Sequence, residues 1–257
     1  PALTRTIQQL ERILDVTLID RTSRSVELTQ TGRAFRDRAQ ALLRDLDLAT
    51  AEARGQRELR IGFSWALPDP WVSEVIAAFE EASGAMARLT RRDDISASLE
   101  RNDIDIALSR RPLAGEHTAS QTLFEEPRVA AVSSRSPLAD YEQIDWNELS
   151  QHRIIINTTS GNTRPDLWDQ QHRPREVLEC DNYDEWITLV AADKGVGATP
   201  RSASSAYSHA GVVFVPLADA PLVPLYLAWI TQRSNALVRQ FIEAAAMQIL
   251  TSLTDPP

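Results

Sequence analysis

Over the first 54 positions the apolar residues recur at helical steps, and after Gly55 the pattern changes to short strand-like runs alternating with helical stretches. Leu3, Ile7 and Leu10 share one helical face, while Thr4, Arg5, Gln8 and Arg12 fall on the others. Val16, Leu18 and Ile19 lead into the polar turn Asp20–Ser25 and then Val26-Glu27-Leu28, a pattern that predicts a two-stranded wing with a basic tip. Thr29 has the chemistry of a helix N-cap, its hydroxyl able to accept from free N–H groups of the first turn. From Gly32 to about Arg54 there is no proline, and Phe35, Ala39, Leu42, Leu46 and Ala49 form a narrow apolar seam that calls for a partner helix. Beyond it, strands are predicted at Leu59–Phe63, Ile104–Leu108, Arg128–Val132, Arg153–Ile156, Val177–Cys180, Val212–Val215 and Leu225–Ile230. Helices are predicted at Pro70–Ala82, Ile95–Arg101, Tyr183–Asp193 and Asn235–Leu253. Strands and helices in alternation predict an α/β sheet with helical crossovers.

At 257 residues the chain holds one large or two ordinary domains. Its longest apolar runs, such as Ile154–Ile156 and Val212–Val215, are far below the roughly 20 residues that cross a bilayer, so no membrane partner is expected. No secretory leader is recognisable, although the chain begins at Pro1 without a methionine, and cytoplasmic residence is expected. The lone Cys180 excludes an internal disulfide, and four scattered histidines lack metal-ligand spacing, so neither metal nor cofactor is expected. The net charge of −9 argues at first against nucleic acid, yet residues 1–57 carry +2 and the remainder −11. The two parts therefore have different electrostatic roles.

Two sets of motifs, far apart and in order, resemble the LysR-type bacterial transcriptional regulators. The first is Pro1-Ala2-Leu3-Thr4-Arg5-Thr6-Ile7-Gln8-Gln9-Leu10-Glu11, then Leu18-Ile19-Asp20-Arg21, then Val26-Glu27-Leu28-Thr29-Gln30-Thr31-Gly32. The second is Leu123-Phe124-Glu125-Glu126-Pro127, Ser136-Pro137-Leu138, Val190–Gly197 and Pro216-Leu217. The resemblance implies an α/β protein: a partial winged helix-turn-helix (1–30), a linker helix for dimerisation (31–56), and an effector domain of type 2 periplasmic-binding-protein-like fold (57–257). Within that last domain, subdomain I is expected at about 57–132 and 231–257, and subdomain II at about 133–230.

The resemblance implies that the helix from Pro1 to Glu11 enters the DNA major groove, with Thr4, Arg5 and Gln8 toward the bases. Pro1 and Arg12 belong to the same DNA-binding set, and Arg21 and Arg24 at the wing would hold the neighbouring backbone. It further implies a dyad-symmetric double-stranded operator, antiparallel dimers paired into tetramers, RNA polymerase as a partner and a small-molecule effector. Family members carry further helices before this point, so Leu3, Ile7 and Leu10 would lack their packing partners, and this fragment alone is expected to bind DNA weakly.

Ligands of open α/β sheets bind beyond the carboxyl ends of strands, where three loops supply candidate effector contacts. They are Ser64 and Trp65 after the first strand, Ser109 and Arg110 after the strand at 104–108, and Thr158, Thr159, Ser160 and Asn162 after the strand at 153–156. Each is equally compatible with turn and capping chemistry. Trp71 and Trp186 are expected in the core, and the acidic segment Glu179–Glu185 is expected to discourage a purely anionic ligand. No Gly-x-Ser-x-Gly elbow or phosphate-cradling glycine loop is present, so a hydrolase is disfavoured and no enzyme activity is expected. The remaining rival is a transport-type solute-binding protein, which the winged-helix segment argues against.

Overall fold

The computed structural model describes residues 2–21, 26–55, 57–65, 67–159, 162–206 and 208–254. Two compact units emerge, residues 1–56 with 101–103, and residues 57–100 with 104–257.

In the first unit, helix α1 (Ala2–Leu14) leads to strands β1 (Ile19–Arg21) and β2 (Val26–Leu28), which pair antiparallel from Ile19↔Leu28 to Arg21↔Val26. The long helix α2 (Gln30–Ala53) follows. The Glu11 carboxylate on α1 accepts from the Leu18 and Ile19 N–H groups at 2.8 and 3.0 Å, tying the helix to the start of the wing. Thr29 is the N-cap expected of it, accepting from the Gly32 N–H at 2.9 Å while donating to the Thr17 carbonyl at 2.8 Å. Gly32 is required by close approach, because a Cβ there would lie 1.9 Å from the Leu18 carbonyl oxygen. Along the α2 seam Phe35 and Ala39 are half-buried, whereas Leu42 and Leu46 are 70% and 63% exposed.

The second unit contains β3 (Glu58–Phe63), α3 (Trp71–Ser83), β4 (Met86–Arg91), α4 (Ile95–Glu100), β5 (Ile106–Ser109), β6 (Thr118–Glu126) and β7 (Arg128–Ser133). It continues through β8 (Ile144–Asp145), α5 (Trp146–Leu149), β9 (Ile154–Asn157), β10 (Val177–Cys180), α6 (Tyr183–Ala191), β11 (Gly197–Pro200) and α7 (Arg201–Ala206). β12 (Val212–Ala218), β13 (Val223–Ile230) and α8 (Ala236–Thr254) complete it. One sheet has the order β4-β3-β5-β13-β6, the other β11-β7-β12-β8, and β9 pairs parallel with β10 while touching the second sheet through an Ile154–Val196 bridge.

Both faces of each sheet are covered, so the strands read as apolar runs rather than as alternation. In the first sheet Ile106, Leu108, Leu225 and Leu227 pack with Phe79 of α3 and Phe241 of α8, whereas Ala107 and Ala228 face Ile95 and Leu99 of α4. In the second, Ala130 and Val132 join Trp146 and Ile154, and the intervening Ala131 joins Ile155, Trp186 and Val190.

Sheet membership divides the second unit. β7 pairs with β11 and β12, and β13 pairs with β5 and β6, so the chain leaves the first sheet at Pro127 and returns to it across 219–222. An apolar run carries no mark of which sheet it joins. Four strands of the second unit escape the hydrophobic pattern, and each is a sheet edge: β4 and β6 are largely polar, β8 is two residues long, and β11 is four residues with a glycine and a proline at its ends.

Replacing Gly32 with alanine should destabilise the first unit by about 1–3 kcal/mol, because the methyl group meets backbone rather than a movable side chain. Helix propensity alone would favour alanine by about 1 kcal/mol, so a lowered urea midpoint identifies the Leu18 contact and a raised one disproves it.

Candidate functional sites

On α1, Thr4, Arg5, Gln8 and Arg12 are all exposed, and positions 4, 8 and 12 fall on one stripe at four-residue spacing. The Arg12 Nε donates to the Gln8 carbonyl at 3.2 Å. Arg21 sits in β1 opposite Val26. Pro1, Arg24 and Ser160 lie outside the described residues.

In the second unit the loop after β3 reaches across to α6. Trp65, 8% exposed, stacks on Tyr183 with ring centroids 5.3 Å apart and planes at 24°, and Tyr183 leans on Trp186 at 5.5 Å. Around this stack lies a cavity of about 10 Å³ bounded by Trp65, Ile155, Asn157, Asn162, Thr163, Tyr183, Trp186, Ala198 and Thr199, room for one water-sized group. The Trp65 indole N–H, both amide atoms of Asn162 and the Thr199 hydroxyl are buried there with no hydrogen-bond partner among the described residues. Buried polar atoms are nearly always satisfied, and a cavity of this size has room for one water.

Of the effector residues expected from sequence, the structure brings Trp65 and Asn162 together at this cavity, with half-buried Ser64 one position away. Thr158 is exposed and donates to the Cys180 carbonyl at 3.1 Å, and the Thr159 N–H donates to Asn157 Oδ1 at 3.0 Å, so both belong to the turn that follows β9. Ser109 Oγ accepts from the Arg111 N–H. Arg110 turns inward: it pairs with Glu126 at 2.5 Å and donates to Ser202 Oγ at 3.1 Å, while Ser202 N–H donates to the same carboxylate at 2.7 Å. Its charge is met within the protein. Trp71 and Trp186 are core residues, and Trp186 Nε1 donates to the Ile155 carbonyl at 2.9 Å.

Sequence reasoning passed over Thr163, Thr199 and, above all, Arg128. The Arg128 guanidinium is buried and donates to the Pro221 carbonyl at 2.7 Å, the Thr163 hydroxyl at 3.1 Å and the Asn162 carbonyl at 2.8 Å. Thr163 in turn donates to the Ala198 carbonyl at 2.8 Å. Arg128 also lies 5.7 Å over the ring of Trp146, itself stacked on Trp168 at 3.8 Å. Burial, with repulsion from Arg164 and Arg110, lowers its pKa to about 10, which leaves it charged at neutral pH. The available signal was an arginine opening an otherwise apolar strand, Arg128-Val129-Ala130-Ala131-Val132.

Behind the cavity, Cys180 is buried, and its thiol pKa is pushed up to about 11 by burial and then by Glu185 and Asp181. The folded thiol therefore holds its proton more tightly than the unfolded one. Its contribution to stability is complete below about pH 9 and is lost as pH rises through about 11. Iodoacetamide at pH 8 should modify the folded chain about a hundredfold more slowly than the urea-unfolded chain. Equal rates in mass spectrometry would contradict this.

Two family models match the chain: the bacterial regulatory helix-turn-helix of the lysR family over residues 1–33, and the LysR substrate binding domain over residues 52–249. The HTH-type transcriptional regulator AlsR of Bacillus subtilis is 27% identical, over 96% of this chain and 87% of its own. BenM of Acinetobacter baylyi, also named an HTH-type transcriptional regulator, is 24% identical over 100% of this chain and 90% of its own. Among solved structures, full-length CbnR complexed with its target DNA matches with a TM-score of 0.76 at 20% identity, covering 96% of this chain and 90% of CbnR. The BenM effector binding domain with its effector benzoate matches with a TM-score of 0.60 at 19% identity, covering 78% and 96%. These structural likenesses establish the fold. No helix among the described residues is long and apolar enough to cross a membrane.

Proposed function

Since the chain belongs to the LysR family of bacterial transcriptional regulators, we propose that it is a cytoplasmic, ligand-gated DNA binder with no catalytic activity of its own. The observation that carries this reading is the coexistence, in one chain, of an exposed Thr4/Arg5/Gln8/Arg12 face on α1 and a cavity of unsatisfied polar groups around Asn162. Arg5 suits a guanine edge or a phosphate, and Gln8 an adenine edge. The first reacts to sequence, the second to a small molecule.

The uncovered Leu42 and Leu46 on α2 support dimerisation through that helix. A twofold dimer presents two recognition helices, which fits a dyad-symmetric operator, and paired dimers give a tetramer. Effector bound in the cavity joins the β3–α3 loop to α6 and biases the hinge at Pro127 and 219–222. Different hinge populations alter DNA bending and contact with RNA polymerase. The structures of CbnR with its target DNA and of the BenM effector binding domain with benzoate support each half of the scheme.

For the natural gene product on a site selected from a genomic DNA library, Arg5→Ala or Gln8→Ala should weaken specific binding by about 1–3 kcal/mol, some 10- to 100-fold in a gel shift. Unchanged discrimination between specific and random DNA would refute the recognition-helix role. Leu42→Glu with Leu46→Glu should convert the oligomer to a monomer in light scattering, and a retained dimer would rule out α2 as the interface.

A further inference from the structure

A second pocket lies at the opposite end of β9 and β10 from the Asn162 cavity. The two strands run parallel, with Ile154 opposite Val177 and Asn157 opposite Cys180. Asn157, at their carboxyl ends, lines that cavity, whereas the segment before β10 lies at their amino ends. There a pocket of about 360 Å³ opens between Asn147, Ser150 and Gln151 on one side and His172, Arg173 and Arg175 on the other, a size that suits a small molecule. Its walls are fixed to each other. Trp168 stacks on Trp146 of α5 at 3.8 Å and its Nε1 donates to the Trp146 carbonyl at 2.9 Å. Asp169 then shapes the loop, accepting from the Gln171 and His172 N–H groups at 2.9 Å each and meeting His172 Nδ1 at 3.0 Å.

The charge in this pocket is of one sign. No carboxylate lines it among the described residues. Asp166 is paired with Arg164 at 3.0 Å, Asp169 with His172 at 3.0 Å and Glu176 with Arg153 at 2.8 Å. Arg173 and Arg175 make neither an ion pair nor a hydrogen bond among the described residues. They flank the buried Pro174, whose ring fixes the backbone between them. With Nδ1 given to Asp169, His172 keeps Nε2 for a further bond. Residues 58–257 carry −11, so two unpaired guanidiniums in one walled pocket run against the sign of their own domain. Guanidinium forks match phosphate oxygens two at a time, and a pair of them suits a dianion better than a single charge. The amides of Asn147 and Gln151 both donate and accept, which suits hydroxyl groups on the body of a ligand. We propose that this pocket binds a small phosphorylated, hydroxyl-bearing metabolite, its phosphate held by Arg173 and Arg175, independently of the Asn162 cavity.

Equilibrium dialysis of the whole protein against radiolabelled glucose 6-phosphate tests this directly, at fixed ionic strength and about pH 7.5, where a phosphate monoester is largely a dianion. Binding should saturate at one site per chain. Inorganic phosphate should displace the probe at concentrations about tenfold or more below those of glucose or acetate. Arg173→Ala and Arg175→Ala should each weaken binding about tenfold or more, the loss of a charge-assisted hydrogen bond. Both side chains are exposed, so the fold survives their removal. Arg88→Ala, which removes an exposed arginine from β4, should change nothing. Absence of saturable binding, undiminished binding in both pocket variants, an equal loss in Arg88→Ala, or acetate competing as well as phosphate would each overturn the proposal. Displacement by random duplex DNA at phosphate concentrations where inorganic phosphate fails would assign the two arginines to the DNA backbone and overturn it as well.

Discussion

The second unit depends on one buried cation. Arg128 opens β7 immediately after the chain has crossed from the first sheet, and its Nε holds the carbonyl of Pro221, where the chain crosses back. Its other two nitrogens hold the Asn162–Thr163 loop. Both connections between the sheets and one wall of the cavity thus meet at a single guanidinium, whose planar fork suits three acceptors in fixed directions. Truncating it would leave three buried acceptors without their donor, a larger loss than that of any one hydrogen bond.

Beside it, Arg110, Glu126 and Ser202 form a second clamp of different kind. Arg110 ends the turn after β5, Glu126 ends β6, and Ser202 opens α7, so an ion pair with hydroxyl and backbone donors binds the first sheet to the second. This clamp is an ion pair, whereas the acceptors of Arg128 among the described residues are neutral.

Sequence read alone revealed what repetition encodes. α1, the wing, the Thr29 cap and α2 followed from periodicity and capping chemistry, and the strands β3, β5, β7, β9, β10, β12 and β13 from their apolar runs. The edge strands β4 and β6 did not, because one row of their side chains faces water and their apolar content is low. Sheet membership of β7 and β13 was illegible, since pairing partners are chosen in three dimensions. At the site, Trp65 and Asn162 were within reach because they follow buried strands directly. Arg128 and Thr199 lie inside strands, where position in sequence predicts packing, and only the fold shows that Thr199 faces a cavity and that the acceptors around Arg128 among the described residues are neutral.

Charge distribution binds the two functions of the chain together. Residues 1–57 carry +2 and the remainder −11, so DNA attracts the first part and repels the second, and approach to the phosphate backbone is oriented before any base is read.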